Sequence, residues 1–165
     1  MLLSLQKSEE IFNVTYLDVA NFFMATASES GEVLTNLKLQ KLVYYAQAWY
    51  LANNKKPLFE AEFQAWVHGP VIPELYKIYK ERGSDLMIPK QKVSEMRETL
   101  GEEVSNFLDQ IVQAYMPYGG YHLEMMTHAE APWVNARTNY EPDQICTEII
   151  TKDSMLEFYG KRIEN

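Results

Sequence analysis

Apolar residues recur every three to four positions over most of this chain and every second position in one stretch. The two periods predict helices packed around a short β element. Leu39, Leu42, Val43, Ala46, Trp49 and Tyr50 fall at i, i+3, i+4, i+7, i+10 and i+11, a wide stripe on a helix capped by Thr35 or Asn36. Tyr44, Tyr45 and Leu51 lie off that stripe, so this helix is apolar nearly all round and is expected at the centre of the fold. An earlier helix starts at Thr15, with Asp18 facing the positive end of its dipole. Tyr16, Val19, Ala20 and Phe23 follow at helical spacing until Ser28-Glu29-Ser30-Gly31 stops it.

From Leu58 to Val67 the period is two. Phe59, Ala61, Phe63, Ala65 and Val67 alternate with Glu60, Glu62, Gln64 and Trp66, which predicts a strand with one buried face. Gly69-Pro70-Val71-Ile72-Pro73 then reads as a turn opening a helix, with Ile72, Leu75, Tyr76 and Tyr79 inward and Gly83 closing it. Leu86-Met87-Ile88-Pro89 is a candidate second strand. Thr99-Leu100-Gly101-Glu102 has the form of a capping box for a helix bearing Val104, Phe107, Leu108, Ile111 and Tyr115. After Tyr118-Gly119-Gly120 a short helix is expected over 121–127, and a helical turn from Ala131 to Arg137. Met155, Phe158, Tyr159 and Ile163 mark a C-terminal helix. The expected fold is mainly α (α+β), about six helices with a short two-stranded β-ribbon. One domain is expected over 15–165, preceded by an N-terminal arm over 1–14 that shows no convincing cap.

Composition adds constraints. With 165 residues and 47% hydrophobic content the chain can bury a real core. The net charge is −8, and the only adjacent basic pairs are Lys55-Lys56 and Lys161-Arg162. Nucleic-acid binders show a basic patch or stripe, so direct nucleic-acid binding is not expected. The acidity suits a basic protein partner, or solubility alone. The sequence shows neither an apolar run of membrane-spanning length nor a signal-peptide pattern, and the single Cys146 excludes an internal disulfide framework. A cytoplasmic location is expected.

Catalytic patterns are missing from the sequence. The three histidines match no metal-ligand spacing. His122 and His128, six apart, lie on different faces of a helix and would meet only if it broke between them, with Glu124 or Glu130 completing a set. Cys146 has no basic neighbour to lower its thiol pKa. Neither a nucleophile elbow nor a phosphate-binding glycine loop occurs. No cofactor or metal is expected.

Three patches remain, each with a structural and a partner-binding reading. In Trp66-Val67-His68-Gly69-Pro70 the residues either orient a strand-to-helix joint, with His68 capping a backbone carbonyl, or display Trp66 and His68 to a partner. Trp66 lies opposite the inward face of Phe63 and Ala65. In Ala131-Pro132-Trp133-Val134-Asn135-Ala136-Arg137, Trp133 and Arg137 share a helical face. Arg137 either lies over the indole or pairs with Glu130. The pair is a packing clasp or an interface anchor. In Tyr118-Gly119-Gly120-Tyr121, two tyrosines flank a glycine pair, a composition that serves binding loops as well as plain loop tips.

The aromatic helix, the Phe63–Val71 run and the Thr127–Arg137 run occur in an order that resembles the Panacea domain of SocA-like antitoxins, also called the phage-associated GepA-like family, over roughly residues 15 to 137. The resemblance implies a non-enzymatic antitoxin of a two-gene toxin–antitoxin module. Such an antitoxin blocks a toxin encoded by an adjacent gene through direct contact. No helix-turn-helix domain is evident in this chain. Two other classes stay open: a phage-derived interaction or adaptor protein without a cognate toxin, and an enzyme using His68 or the His122/His128 pair.

Overall fold

A computed structural model describes residues 13–32, 34–80 and 89–163. The first helix, α1 (Tyr16–Ser30), begins where the sequence places it. Thr15 Oγ1 accepts from the Asp18 amide at 3.1 Å while Asp18 Oδ2 accepts from the Thr15 amide at 3.0 Å, closing a reciprocal box. Gly31, at φ 71°, ends it in the left-handed conformation. The second helix, α2 (Asn36–Asn54), is capped by Thr35, whose hydroxyl accepts from the Lys38 amide. Its Tyr44 and Tyr45 are buried, as an all-round apolar helix requires. Trp49 is half-buried instead, with its indole N–H donating to the Tyr115 hydroxyl at 2.6 Å.

Five polar residues of α2, Asn36, Lys38, Gln40, Lys41 and Gln47, are buried too, and most complete the backbone bonding of neighbouring elements. Gln47 accepts from the Leu58 amide and donates to the Phe59 carbonyl. Gln40 accepts from the Ile72 amide, and Asn36 donates to the Tyr76 carbonyl. Lys38 donates to the Met116 carbonyl at 2.7 Å. Burial of these four groups is tolerated because each finds a partner.

The alternating stretch forms a shorter strand than its pattern suggests, β1 (Phe63–Trp66). Phe63 and Ala65 face inward as expected. Leu58 and Phe59 stay out of the strand because Gln47 takes their backbone groups. The run expected as a turn, Gly69 to Val71, is a second strand, β2 (Gly69–Val71), antiparallel to β1, and the turn is the two residues Val67 and His68. Pro70 is admissible because β2 is an edge strand and the Ala65 amide opposite it bonds away to Glu148.

Helix α3 (Pro73–Tyr79) follows with proline in its first turn. The expected closing residue Gly83 and the candidate strand Leu86–Ile88 lie outside the described residues, as does the expected arm up to residue 12.

Helix α4 (Val93–Leu100) was not legible as a separate element, and it corrects the expected capping box: Thr99 and Leu100 belong to its last turn. Gly101, at φ 85°, ends α4 and begins α5 (Glu102–Tyr115). Then come α6 (Gly120–His128), α7 (Ala131–Ala136), β3 (Ile149–Ile150) and α8 (Lys152–Ile163). Among the described residues there are eight helices and a three-stranded antiparallel sheet ordered β2-β1-β3. The mainly helical expectation holds, with a third strand, β3, added beside β1.

Helix α2 runs through the middle and packs most extensively on α8. At that contact Glu130 Oε1 accepts from the Tyr45 and Tyr159 hydroxyls at 2.7 and 2.9 Å. Burial pushes the Glu130 carboxyl above its usual range, opposed by these two donors. We expect Glu130→Gln to melt within about 1 kcal/mol of the wild type, because an acceptor remains while a buried charge disappears. Glu130→Ala should lose about 2–3 kcal/mol, since the buried Tyr45 hydroxyl loses the Glu130 acceptor and Tyr159 is left with the longer bond to the Tyr44 hydroxyl at 3.2 Å. Denaturant melts of both variants check this, and equal losses would show that the carboxylate charge itself is required.

Candidate functional site

The β1–β2 hairpin is clasped from behind. Trp133 in α7 donates its indole N–H to the Trp66 carbonyl at 2.8 Å and stacks on His128 at 3.9 Å. Arg137, at the C-cap of α7, donates to the Ala65 carbonyl at 2.7 Å, and its other guanidinium nitrogen donates to the Glu141 and Gln144 carbonyls. The guanidinium carbon lies 5.1 Å from the Trp133 ring centroid. Of the two sequence-level alternatives for Arg137, the structure selects the indole. Glu130 is occupied by the tyrosines. Trp133 and Arg137 are 8% and 5% exposed, so they brace the hairpin from within.

The front of the hairpin is open. His68, with a side chain 62% exposed, places Nδ1 3.0 Å from Glu124 Oε1 of α6. Among the described residues it caps no backbone carbonyl. Tyr121, one turn before Glu124 on α6, is 75% exposed. Tyr118 is exposed and stacks on His122 at 4.4 Å. Trp66 is half-buried: its indole N–H donates to Gln64 Oε1 at 2.8 Å, and its ring meets Tyr76 edge-on at 5.1 Å. Beside it runs an apolar groove of about 270 Å³ whose walls include Leu37, Trp66, Val67, Val71, Tyr76 and Ile145.

Helix α6 is unbroken from Gly120 to His128. It therefore sends His122 to Tyr118 and His128 to Trp133, and the two histidines do not converge. Among the described residues no group of three or more His, Cys, Asp or Glu side chains is placed to hold a metal ion. Burial holds the His128 imidazole below its ordinary pKa, against the pull of the Glu124 carboxylate.

Beneath the hairpin lies a residue the sequence reading passed over. Lys41 of α2 is 0% exposed, and its ammonium has no hydrogen-bond partner among the described residues. A Cβ on Gly69, which sits at φ 112°, would meet Lys41 Cε at 2.7 Å and Thr127 Oγ1 at 3.1 Å, so the glycine leaves the room the lysine tip fills. Burial lowers the Lys41 pKa from 10.5 to about 8, with the Glu124 carboxylate opposing. A lysine on a helix apolar nearly all round was the available signal. Glu124, Tyr76 and Ile145 carried none, because their roles depend on elements distant in sequence.

The fold and this site define a helical scaffold that braces a β-hairpin from within and presents its turn and one apolar groove to solvent. The family model for the SocA-like antitoxin Panacea domain matches residues 39–134, and the chain belongs to that family. Antitoxin SocA of Caulobacter vibrioides is 36% identical over 70 residues, covering 42% of this chain and 37% of that protein. The chain thus matches well under half the length of this curated relative. No solved structure matches. Among the described residues no helix is long and apolar enough to cross a membrane.

Proposed function

We propose that this chain is a cytoplasmic, non-enzymatic antitoxin that neutralises a toxin encoded by an adjacent gene through direct protein–protein contact. The toxin meets it on the face formed by Trp66, His68, Tyr118 and Tyr121, with Trp133 and Arg137 holding that face in shape. Family membership supports the antitoxin role. The observation that carries the surface is Trp66, an aromatic fixed by Gln64 and Tyr76 yet half open beside an apolar groove. Pre-ordered aromatic side chains anchor protein interfaces with little entropy left to lose.

The test is co-expression with the neighbouring gene in a growth assay, together with affinity measurement on the purified pair. Trp66→Ala should weaken binding about thirtyfold, the equivalent of a ~2 kcal/mol hot spot, with circular dichroism unchanged. Full neutralisation by this variant, or failure explained by its unfolding, would place the interface elsewhere. A non-toxic neighbour would favour the adaptor class.

A further inference from the structure

Beyond locating the contact, and resting on that antitoxin reading, the groove specifies what enters it. We propose that it receives one bulky apolar side chain from the partner, flanked in the partner's chain by acidic residues that reach Lys77 and Lys80. The groove walls are apolar, with the Trp66–Tyr76 pair on one side. Those same two rings continue into a shallow depression whose other described lining residues are Pro73, Lys77 and Lys80. Neither depression is lined by a described acidic side chain, and neither lysine forms an ion pair with a described residue.

Lys77 and Lys80 thus set two positive charges at the edge of the groove, on a chain of net charge −8; Glu74, on the same helix, is not among the described lining residues. Long-range attraction by the whole molecule favours a basic partner, whereas docking at this edge selects a segment that is locally acidic. Size points to one anchor: about 270 Å³ suits a single large side chain better than a helix face. Ile145, 83% exposed at the rim, has apolar surface that such an anchor would bury.

The experiment uses the full chain, labelled with ¹⁵N, and capped hexapeptides as probes. One carries phenylalanine followed by two glutamates, a second has lysines for the glutamates, and a third has alanine for the phenylalanine. The first should shift the Trp66 indole N–H resonance saturably and bind about tenfold more tightly than the second, the scale of a local charge preference. The third should leave the resonance in place. Lys77→Glu combined with Lys80→Glu should invert the preference between the first two peptides. Equal binding of the charged pair, shifts confined to another surface, no shift at all, or self-association that Trp66→Ala abolishes would each overturn the proposal. The same double variant is also assayed for neutralisation. Retained neutralisation beside failed peptide binding sinks this inference alone, whereas peptide binding beside a non-toxic neighbouring gene sinks only the antitoxin reading.

Discussion

Replacing Lys41 by methionine should stabilise the protein at pH 7 by about 3 kcal/mol and raise its melting temperature by roughly 6–12 °C, the usual conversion for a domain of this size. Every other buried polar side chain of α2 donates to or accepts from a neighbour, and Lys41 alone has no hydrogen-bond partner among the described residues. Burial lowers its pKa from 10.5 to about 8, which reflects the penalty of keeping the charge there. At 1.36 kcal/mol per pH unit that is about 3 kcal/mol. The sign follows from proton counting. Between pH 8 and 10 the unfolded chain still holds the lysine proton that the folded chain has released, so wild-type stability rises with pH over that window. Above pH 10 the trend reverses. Tyr44, Tyr45 and Tyr159, whose burial raises their hydroxyl pKa values well above the ordinary range, then ionise mainly in the unfolded chain. The methionine variant should lack the rise and keep the fall. Urea melts at pH 7 and pH 9.5 decide it: a less stable variant, or one with the same alkaline rise, would show that the ammonium has a partner in solution.

Arg137→Leu should have the opposite effect, a loss of about 3–5 kcal/mol. The guanidinium ties Ala65 of β1 to the segment from Glu141 to Gln144 through hydrogen bonds from one planar group. Charge-assisted bonds of this kind contribute about 1.5–3 kcal/mol each, and truncation leaves carbonyls desolvated without donors. Contact with the Trp133 ring is lost as well. Arg137→Lys should recover less than half of the loss, because a compact ammonium on a flexible stem cannot serve both sides of the fork. Thermal melts measure the loss, and amide hydrogen exchange at Ala65 locates it. A variant melting within 1 °C of the wild type would mean that the clasp is dispensable.

Much of the helical frame was legible because local rules and tertiary packing agree. Thr15, Gly31, Thr35 and Pro73 mark boundaries through bonds or dihedral limits set within a few residues. The boundary at Thr99 failed because Gly101 joins two helices without a gap, and a capping pattern in sequence looks the same when its first residue already belongs to the preceding helix. The strand was overextended because alternation reports a buried face but not a pairing partner, and Gln47 diverts the backbone of Leu58 and Phe59. Pro70 suggested a turn because its missing N–H rules out central strands, and only the edge position in the sheet makes it acceptable.

For the candidate site, sequence by itself named the candidates: Trp66 and His68 on one run, Trp133 and Arg137 on another, the tyrosine pair on a third. Tertiary structure decided their division of labour. Trp133 and Arg137 turn inward because the Trp66 and Ala65 carbonyls lie within reach of their donors. His68 turns outward to Glu124 because the two-residue turn lifts it off the sheet face. Lys41 belongs wholly to the second category. Its identity is written in the helix, but the ammonium becomes buried, without a hydrogen-bond partner among the described residues, where β2 packs over it, bringing together groups 28 positions apart, from 41 to 69, that no local pattern relates.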